Sequence, residues 1–183
     1  KKKNGAGNNT AGIAFGGYRP AYNAVTETYD GTSFTEVGDL NTARYGMGAA
    51  SAGTQTATLS YGGTKAPSNA MAGETESWNG SSWTELTDLN SARTQISSIG
   101  VQTSALCAGG TTGPTYLTIN ESWDGTSWTE LGDLNTIRYA GGASGVSNTS
   151  GLVFGGVPYT GSPPDGMPLT ELWNGSSWTE VNP

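Results

Sequence analysis

The residues of this sequence that could take part in chemistry are few, and most of them recur at a fixed interval. The chain of 183 residues contains no histidine, which removes the commonest general base and metal ligand. Two carboxylates could form the acid–base pair of a glycoside hydrolase, but the Asp and Glu residues recur with the repeat described below, and we interpret them as architectural. Cys107 occupies a strand position that small or apolar residues hold in the other copies, so we interpret it as a small buried hydrophobe. We expect a protein that is not an enzyme and that uses no metal or other cofactor.

Three arginines recur at one position of the repeat: Arg44, Arg93 and Arg138. They could contact a ligand, but their recurrence at one structural position favours hydrogen bonds to carbonyl groups or to a repeated carboxylate such as Glu76 or Glu121. A second set of carboxylates recurs on what we predict to be outer strands that face water: Glu36, Glu85, Glu130 and Glu180.

These groups are positioned by a segment that the chain repeats four times, at residues 27–37, 76–86, 121–131 and 171–181. The copies recur every 45–50 residues, an interval typical of stacked units or propeller blades. Each copy places Asp-Gly or Asn-Gly between two aromatic residues and predicts a β-hairpin, because a tight turn needs the positive φ that Gly, Asn and Asp tolerate. All six tryptophans lie in these hairpins: Trp78, Trp83, Trp123, Trp128, Trp173 and Trp178. Tyr29 and Phe34 take the same two positions in the first copy, and we interpret all these rings as packing elements.

Two further signatures flank the hairpins. An apolar run closed by two glycines precedes each of them, at residues 12–17, 57–63, 105–110 and 151–156. An Asp-Leu-Asn-x-x-Arg segment follows the first three, at residues 39–44, 88–93 and 133–138, and small residues come after each Arg. One full unit is therefore predicted to have four strands, namely a small-residue strand, a strand that ends in Gly-Gly and two aromatic strands.

The order of these signatures resembles the Kelch repeat, in which a Gly-Gly pair closes an apolar strand and an aromatic residue, a Trp and an Arg follow. The resemblance covers nearly the whole chain and implies an all-β fold, a Kelch-type β-propeller of four-stranded antiparallel blades. It implies a single domain, 1–183, with blades at about 11–38 together with the N-terminal residues, 43–87, 92–132 and 137–182. The sequence Trp-Asp-Gly-Thr-Ser-Trp-Thr-Glu is also similar to Kelch-like repeats of bacteriophage tail-fibre and bacterial surface proteins.

The two ends of the chain leave the closure of such a ring open. Alignment of the first apolar strand with the last puts residues 1–6 at the inner strand of the first blade, where buried lysines would be costly. We expect Lys1, Lys2 and Lys3 to be exposed or misfitted there, and the strand that closes the ring to be missing at both ends. Three alternatives follow: a fragment of a longer repeat array, a closed four-bladed ring with an imperfect seam, or a chain that completes its ring with other chains.

Composition limits the partners. The chain has 29 glycines and only 13% charged residues, which suits short strands and many turns. Its net charge is −7, and of its eight basic residues three are the leading lysines and three the repeated arginines, so we do not expect nucleic acid as a partner. No apolar run is long enough to predict a membrane span.

The segment between each Gly-Gly and the first aromatic strand differs in all four copies, at residues 18–24, 64–73, 111–117 and 157–167. These variable loops should lie on the same face as the Asp-to-Arg links, and loops on a rigid scaffold commonly carry recognition. Our candidate binding residues within them are Tyr18, Arg19, Tyr22, Tyr116, Tyr159 and Asp165. The alternative is that the loops are solvated connections without a partner.

We therefore expect a non-catalytic module, extracellular or on a virion surface, that recognises a glycan or a protein through the variable loops as an adhesin does. Loops rich in aromatic residues and poor in charge suit sugars, whose apolar faces stack on rings. One alternative is a structural component of a fibre, such as a tail fibre, or of a larger assembly formed by self-association. Another is a cytoplasmic adaptor that grips a partner peptide.

Overall fold

The computed structural model describes residues 3–18, 20–157 and 168–181. The regular elements in these ranges are β-strands, and none of the ranges contains a helix long and apolar enough to cross a membrane. In chain order the strands are β1 (Asn4–Gly7), β2 (Gly12–Phe15), β3 (Thr26–Tyr29), β4 (Phe34–Glu36), β5 (Arg44–Tyr45), β6 (Gly48–Ala49), β7 (Thr58–Tyr61), β8 (Thr64–Lys65), β9 (Ala70–Met71), β10 (Thr75–Trp78), β11 (Trp83–Glu85), β12 (Ser97–Val101), β13 (Ser104–Ala108), β14 (Asn120–Trp123), β15 (Trp128–Leu131), β16 (Gly142–Ser147), β17 (Ser150–Phe154), β18 (Thr170–Trp173) and β19 (Trp178–Val181).

Four antiparallel sheets of four strands each account for most of these elements. Their orders are β1-β2-β3-β4, β6-β7-β10-β11, β12-β13-β14-β15 and β16-β17-β18-β19, and we refer to them as the first to fourth sheets. Each sheet is built from one copy of the repeat, in the predicted order of small-residue strand, Gly-Gly strand and two aromatic strands. The remaining strands, β5, β8 and β9, form a small sheet of three strands.

The aromatic hairpins turn at the Asp-Gly or Asn-Gly pair, as the sequence predicts. In the first sheet, the carboxylate of Asp30 accepts hydrogen bonds from the backbone N–H groups of Thr32 and Ser33, both at 2.9 Å. Gly31, which follows Asp30 in the turn, has a φ of +97°, which a residue with a side chain rarely adopts. Asn79 makes the corresponding bonds in the second sheet, so Asp and Asn serve the same turn.

The hydrophobic core consists of three layers, one between each pair of consecutive sheets. Between the first and second sheets, Phe15 packs edge-on against Trp83 with their ring centroids 4.8 Å apart. Between the second and third sheets, Tyr61 and Trp128 lie at the same distance. The second aromatic ring of a hairpin is therefore buried by the sheet that precedes it, and the core fastens successive repeats to one another.

The first sheet differs from the expectation at the N-terminus. An inner strand is present there, because β1 pairs with β2 and places Asn4 opposite Phe15. The expectation that this strand is missing at the start of the chain is therefore wrong. The strand begins after the lysines, so no lysine has to be buried: Lys3 is exposed and pairs with Glu27. Lys1 and Lys2 lie outside the described residues.

Phe34 is also not the buried packing element that its place in the repeat suggested. Its side chain is 61% exposed, whereas the rings of Trp83, Trp128 and Trp178 at the same repeat position are buried. The reason is positional, because the sheet that precedes a hairpin supplies the cover for this ring and the first sheet has no such neighbour in the described residues.

Each repeated arginine is fully buried and pairs with the first glutamate of its own hairpin, namely Arg44 with Glu76, Arg93 with Glu121, and Arg138 with Glu171. The same glutamates also accept hydrogen bonds from the Asn of the preceding link. Asn41, for example, donates its backbone N–H and its side-chain amide to Oε2 of Glu76, at 2.7 and 2.9 Å. The pairing with a repeated carboxylate that the sequence suggested is thus present, and the outer-strand glutamates are exposed as expected.

Cys107 lies on β13 in the core layer between the second and third sheets and is fully buried. Burial raises the pKa of its thiol to about 12. A thiol with such a pKa is a poor nucleophile, which agrees with its interpretation as a small hydrophobe.

Candidate functional site

The variable loops and the segments that follow the repeated arginines meet at one end of the sheets, as predicted. Strand β5 pairs with β8, and the bridges between Thr94 and Thr111 and between Tyr139 and Val157 repeat this contact in the next two units. A cavity of about 740 Å³ lies there, between the loops of the first three units. We call it the tyrosine cleft, and its lining residues are Tyr18, Tyr22, Tyr45, Thr64, Asn69, Met71, Thr94, Gln95, Thr111 and Gly113.

Two of the repeated arginines, Arg44 and Arg138, hold the bases of the second and fourth variable loops. Nη1 of Arg44 donates to the carbonyl oxygens of Gly62 and Glu74, at 3.0 and 2.6 Å, and these two residues bracket the second loop. The N–H of Gly62 also donates to the carbonyl of Glu74, at 3.1 Å. Arg138 makes the equivalent pair of bonds around the fourth loop. The ends of a loop are therefore fixed to a buried side chain, whatever residues stand between them.

Three tyrosines form the aromatic part of the cleft. Tyr18 and Tyr22 come from the first variable loop, and Tyr45 follows the first repeated arginine. The ring centroid of Tyr22 lies 5.7 Å from that of Tyr18 and 5.2 Å from that of Tyr45. The hydroxyl of Tyr22 donates a hydrogen bond to the side-chain carbonyl of Asn69 in the second loop. Partial desolvation, then the neighbouring Tyr45 and Tyr18, raise the pKa of Tyr22, so its hydroxyl is a neutral donor at physiological pH.

Gln95 brings an amide to the cleft from an unusual backbone position. Its φ is +57°, in the left-handed region that residues with side chains adopt rarely. Gly46 and Ala140, at the same position of the repeat, share this conformation with φ of +66° and +55°. Its N–H donates to the carbonyl of Gly46, and its carbonyl accepts from the N–H of Ala140, both at 2.7 Å. This row of hydrogen bonds joins three consecutive units and holds the residue in place. Its side-chain amide makes no hydrogen bond within the described ranges and is available to a ligand.

The lining combines aromatic surface with neutral hydrogen-bonding groups, and none of the lining residues that the structure describes is charged. Rings offer stacking, and amide and hydroxyl groups both donate and accept hydrogen bonds. In the described part of the chain, no three His, Cys, Asp or Glu side chains lie together in a way that could hold a metal ion. A lining of this kind can stack on the apolar face of a ligand and can exchange hydrogen bonds with uncharged polar groups.

Of the three candidate binding residues that the structure describes, two line the cleft, Tyr18 and Tyr22. Tyr116 is not one of the lining residues, although it forms a bridge with Thr111, and its ring stacks on that of Tyr139 with centroids 4.6 Å apart. The other three candidates, Arg19, Tyr159 and Asp165, lie outside the described residues.

Sequence reasoning missed several residues of the lining. Tyr45 stands directly after the first repeated arginine, where the sequence predicts a strand of small residues. An aromatic residue follows the repeated arginine again at Tyr139, and that recurrence is a usable signal. Asn69 and Met71 lie in a variable loop but carry no pattern that separates them from their neighbours. The one signal for the conformation of Gln95 is Gly46 at the same position of the repeat, since glycine is the usual residue at positive φ.

No protein-family model matches this sequence, and a search of curated proteins also finds no match. The structure itself therefore carries the functional argument.

Proposed function

We propose that the chain is a Kelch-type β-propeller, possessing no catalytic activity, that binds a glycan through the tyrosine cleft. The order of strands in each sheet and the Gly-Gly, aromatic and Arg positions support the Kelch assignment. A small cavity of about 170 Å³ gives further support, because residues from all four units line it as they would line a common axis. Among these residues are Asn4, Gly46, Gln95 and Ala140.

The convergence of Tyr18, Tyr22 and Tyr45 beside uncharged amide and hydroxyl groups is the observation that carries the proposal. The C–H faces of a sugar pack on aromatic rings, and its hydroxyl groups need partners that both donate and accept. Asn69 and Gln95 provide such partners at the cleft. A cavity of about 740 Å³ is large enough for a short oligosaccharide, since ligand pockets commonly measure about 300–1,000 Å³.

This activity is that of an adhesin, and we place the protein outside a cell or on a virion surface. Two features support that placement. The sequence of its repeat is similar to repeats of tail-fibre and surface proteins, and its neutral aromatic site suits the glycans of a cell surface. A cleft that instead binds a peptide would favour a protein partner, in an extracellular setting or as a cytoplasmic adaptor.

Binding to an array of mono- and oligosaccharides, followed by calorimetry with the best ligand, tests the proposal. Tyr45→Ala should weaken binding by at least about tenfold, because it removes one stacking ring. Tyr139→Ala is the matched control, since it changes the same position of the repeat away from the cleft and should leave the affinity unchanged. The glycan proposal fails if the unmodified chain binds nothing on the array, or if the two variants weaken binding equally.

A second function, as a structural component of a fibre or larger assembly, is favoured by a different observation. The outer faces of the first and fourth sheets expose large apolar side chains, Phe34 and Phe154, at positions that are buried between sheets elsewhere in the chain. Ordered polymers in electron micrographs, together with an absence of glycan binding, would support this function over the first.

A further inference from the structure

A contact between rings joins the first sheet to the second and the second sheet to the third. Phe15 of the first sheet meets Trp83 of the second, and Tyr61 of the second meets Trp128 of the third. In both cases the tryptophan also donates from Nε1 to a threonine hydroxyl of the preceding sheet at 2.9 Å. The preceding sheet thus offers an aromatic ring and a threonine, and the following sheet covers them with the second aromatic residue of its hairpin.

An amide side chain adds a second contact at all three interfaces. It comes from the turn between the first two strands of a sheet, and it donates to the carbonyl of the first aromatic residue in the preceding sheet. The donor and acceptor residues are Gln55 and Tyr29 at 2.7 Å, Gln102 and Trp78 at 2.5 Å, and Asn148 and Trp123 at 2.9 Å. In each of these three sheets, the first aromatic residue pairs with a residue near the start of the second strand. The amide donor lies three residues before that pairing residue. The corresponding residue of the first sheet is Asn9.

The fourth sheet presents the accepting half of this interface without a cover. Phe154 stands at the position of Phe15 and Tyr61, but it is 43% exposed, whereas those two rings are fully buried. Leu172 lies on the same face, because it pairs with Leu152 two residues before Phe154, and it is 39% exposed. In the described residues no amide side chain reaches the carbonyl of Trp173.

The first sheet presents the covering half without a partner. Phe34, at the position of the covering tryptophans, is 61% exposed. Asn9, at the position of the amide donors, is exposed, and its side chain makes no hydrogen bond to the described residues. The two open faces are therefore complementary halves of an interface. Within the described residues, the chain builds its amide contact three times and its ring and threonine contacts twice.

We propose that the open face of the fourth sheet binds the first sheet of a second copy of this chain, through the contacts that join consecutive sheets within one chain. Phe34 of one copy covers Phe154 of the other, and the amide of Asn9 donates to the carbonyl of Trp173. The contacts named above use aromatic and amide groups, and Glu27 on the same face of the first sheet is already paired with Lys3, so docking leaves no charge buried without a partner.

A second copy is the occupant that best fits the packing of the strands. The inner strand of the first sheet, β1, packs against β6 of the second sheet, and β16 of the fourth sheet packs against β12 of the third. In the described part of the chain, no packing of similar extent joins β1 to β16. The first sheet of the same chain therefore does not cover the fourth. Reciprocal docking of two copies gives eight sheets, which is within the four to eight blades usual for propellers. The expected product is a closed dimer.

Sedimentation velocity and light scattering between about 1 and 200 μM test the proposal, a range that spans micromolar dissociation constants. The expected result is a dimer with twice the 18.7 kDa mass of one chain. Phe34→Asp and Phe154→Asp should each raise the dissociation constant at least about tenfold, because each removes an aromatic anchor at the centre of the interface. Both residues are exposed in the single chain, so the unfolding midpoint of the monomer should not change. Tyr45→Ala should leave dimerisation unchanged, which separates this contact from the cleft and its ligand.

An equimolar mixture of the two Asp variants provides a sharper test. It restores one intact interface between Phe34 of one chain and Phe154 of the other, so mixed dimers should form where neither variant dimerises alone. Phe34→Trp should strengthen the dimer, since its indole N–H gains Thr170, which stands at the position of the threonines that accept from Trp83 and Trp128.

A chain that stays monomeric over the whole concentration range overturns the proposal. If Phe34→Asp also lowers the unfolding midpoint of that monomer, the first sheet of the same chain is the cover. A dimer that is insensitive to both Asp variants overturns it as well, because the contact then lies elsewhere.

Discussion

The buried ion pair between Arg93 and Glu121 makes the sharpest stability prediction for this fold. Both side chains are fully buried. Besides Arg93, the carboxylate accepts the backbone N–H and side-chain amide of Asn90, at 2.7 and 2.9 Å, and the N–H of Ser91 at 3.2 Å. Glu121→Gln keeps the shape but removes the charge, and it points an NH₂ group at donors. The guanidinium then remains buried without a counter-charge, a loss that typically costs about 3–5 kcal/mol.

The repeat supplies the matched control for this substitution. Glu27 occupies the same position in the first sheet, but its partner is Lys3, and both side chains are about one-third exposed, at 35% and 34%. Glu27→Gln should therefore cost no more than about 1 kcal/mol, as solvent-exposed pairs do.

Equilibrium urea unfolding, followed by tryptophan fluorescence, measures both changes. A whole domain is stabilised by only about 5–15 kcal/mol, so Glu121→Gln should lower the midpoint severely while Glu27→Gln barely moves it. Equal and small effects of the two substitutions would refute the reasoning, because the buried carboxylate would then contribute no more than an exposed one.

Three further predictions follow from individual positions. Cys107 should resist a thiol reagent at about pH 8, because a pKa of about 12 leaves roughly one side chain in 10⁴ as the thiolate. It should react at once when the chain is unfolded in denaturant. Rapid modification of the folded chain would contradict its burial. The N–H groups of Ser33 and Thr32 lower the pKa of Asp30 from 3.8 to about 2, so its carboxylate stabilises the fold above about pH 4 and this stabilisation is lost as the pH falls toward 2. The difference in melting temperature between the unmodified chain and Asp30→Asn should therefore shrink over that range. A difference that stays constant would disprove the assignment. Gly109→Ala should destabilise the chain by several kcal/mol more than Gly125→Ala in the same urea assay. Both glycines have positive φ, but a methyl group at Gly109 would lie 2.6 Å from a backbone carbonyl oxygen, whereas the nearest atom at Gly125 is 3.5 Å away. Equal losses of stability would mean that backbone strain alone matters.

Local chemistry explains what could be predicted from the sequence. The hairpins followed from Asp-Gly and Asn-Gly pairs between two aromatic residues, and strands β14 and β15 end and begin at Trp123 and Trp128 as predicted. The antiparallel four-stranded sheets followed from the order of signatures within one repeat. These features depend on turn conformation and alternation over fewer than ten residues, where one sequence determines the outcome.

Properties that depend on neighbouring units could not be predicted in this way. Phe34 and Trp83 hold the same repeat position, yet one is exposed and the other buried, since burial depends on whether another sheet precedes them. The tyrosine cleft is a similar case, because Tyr22 and Asn69 come together only through the meeting of two loops of different length. No periodic pattern records how such loops approach each other.

The buried arginines connect the invariant and the variable parts of the repeat. Arg44 is neutralised by Glu76 on the sheet, and from that position it donates to the carbonyls at both ends of the second loop, at Gly62 and Glu74. The loop can thus change in length and composition without moving the strands, because its ends are fixed by a side chain that does not belong to it. The loops can therefore diversify on this scaffold while each sheet keeps its packing.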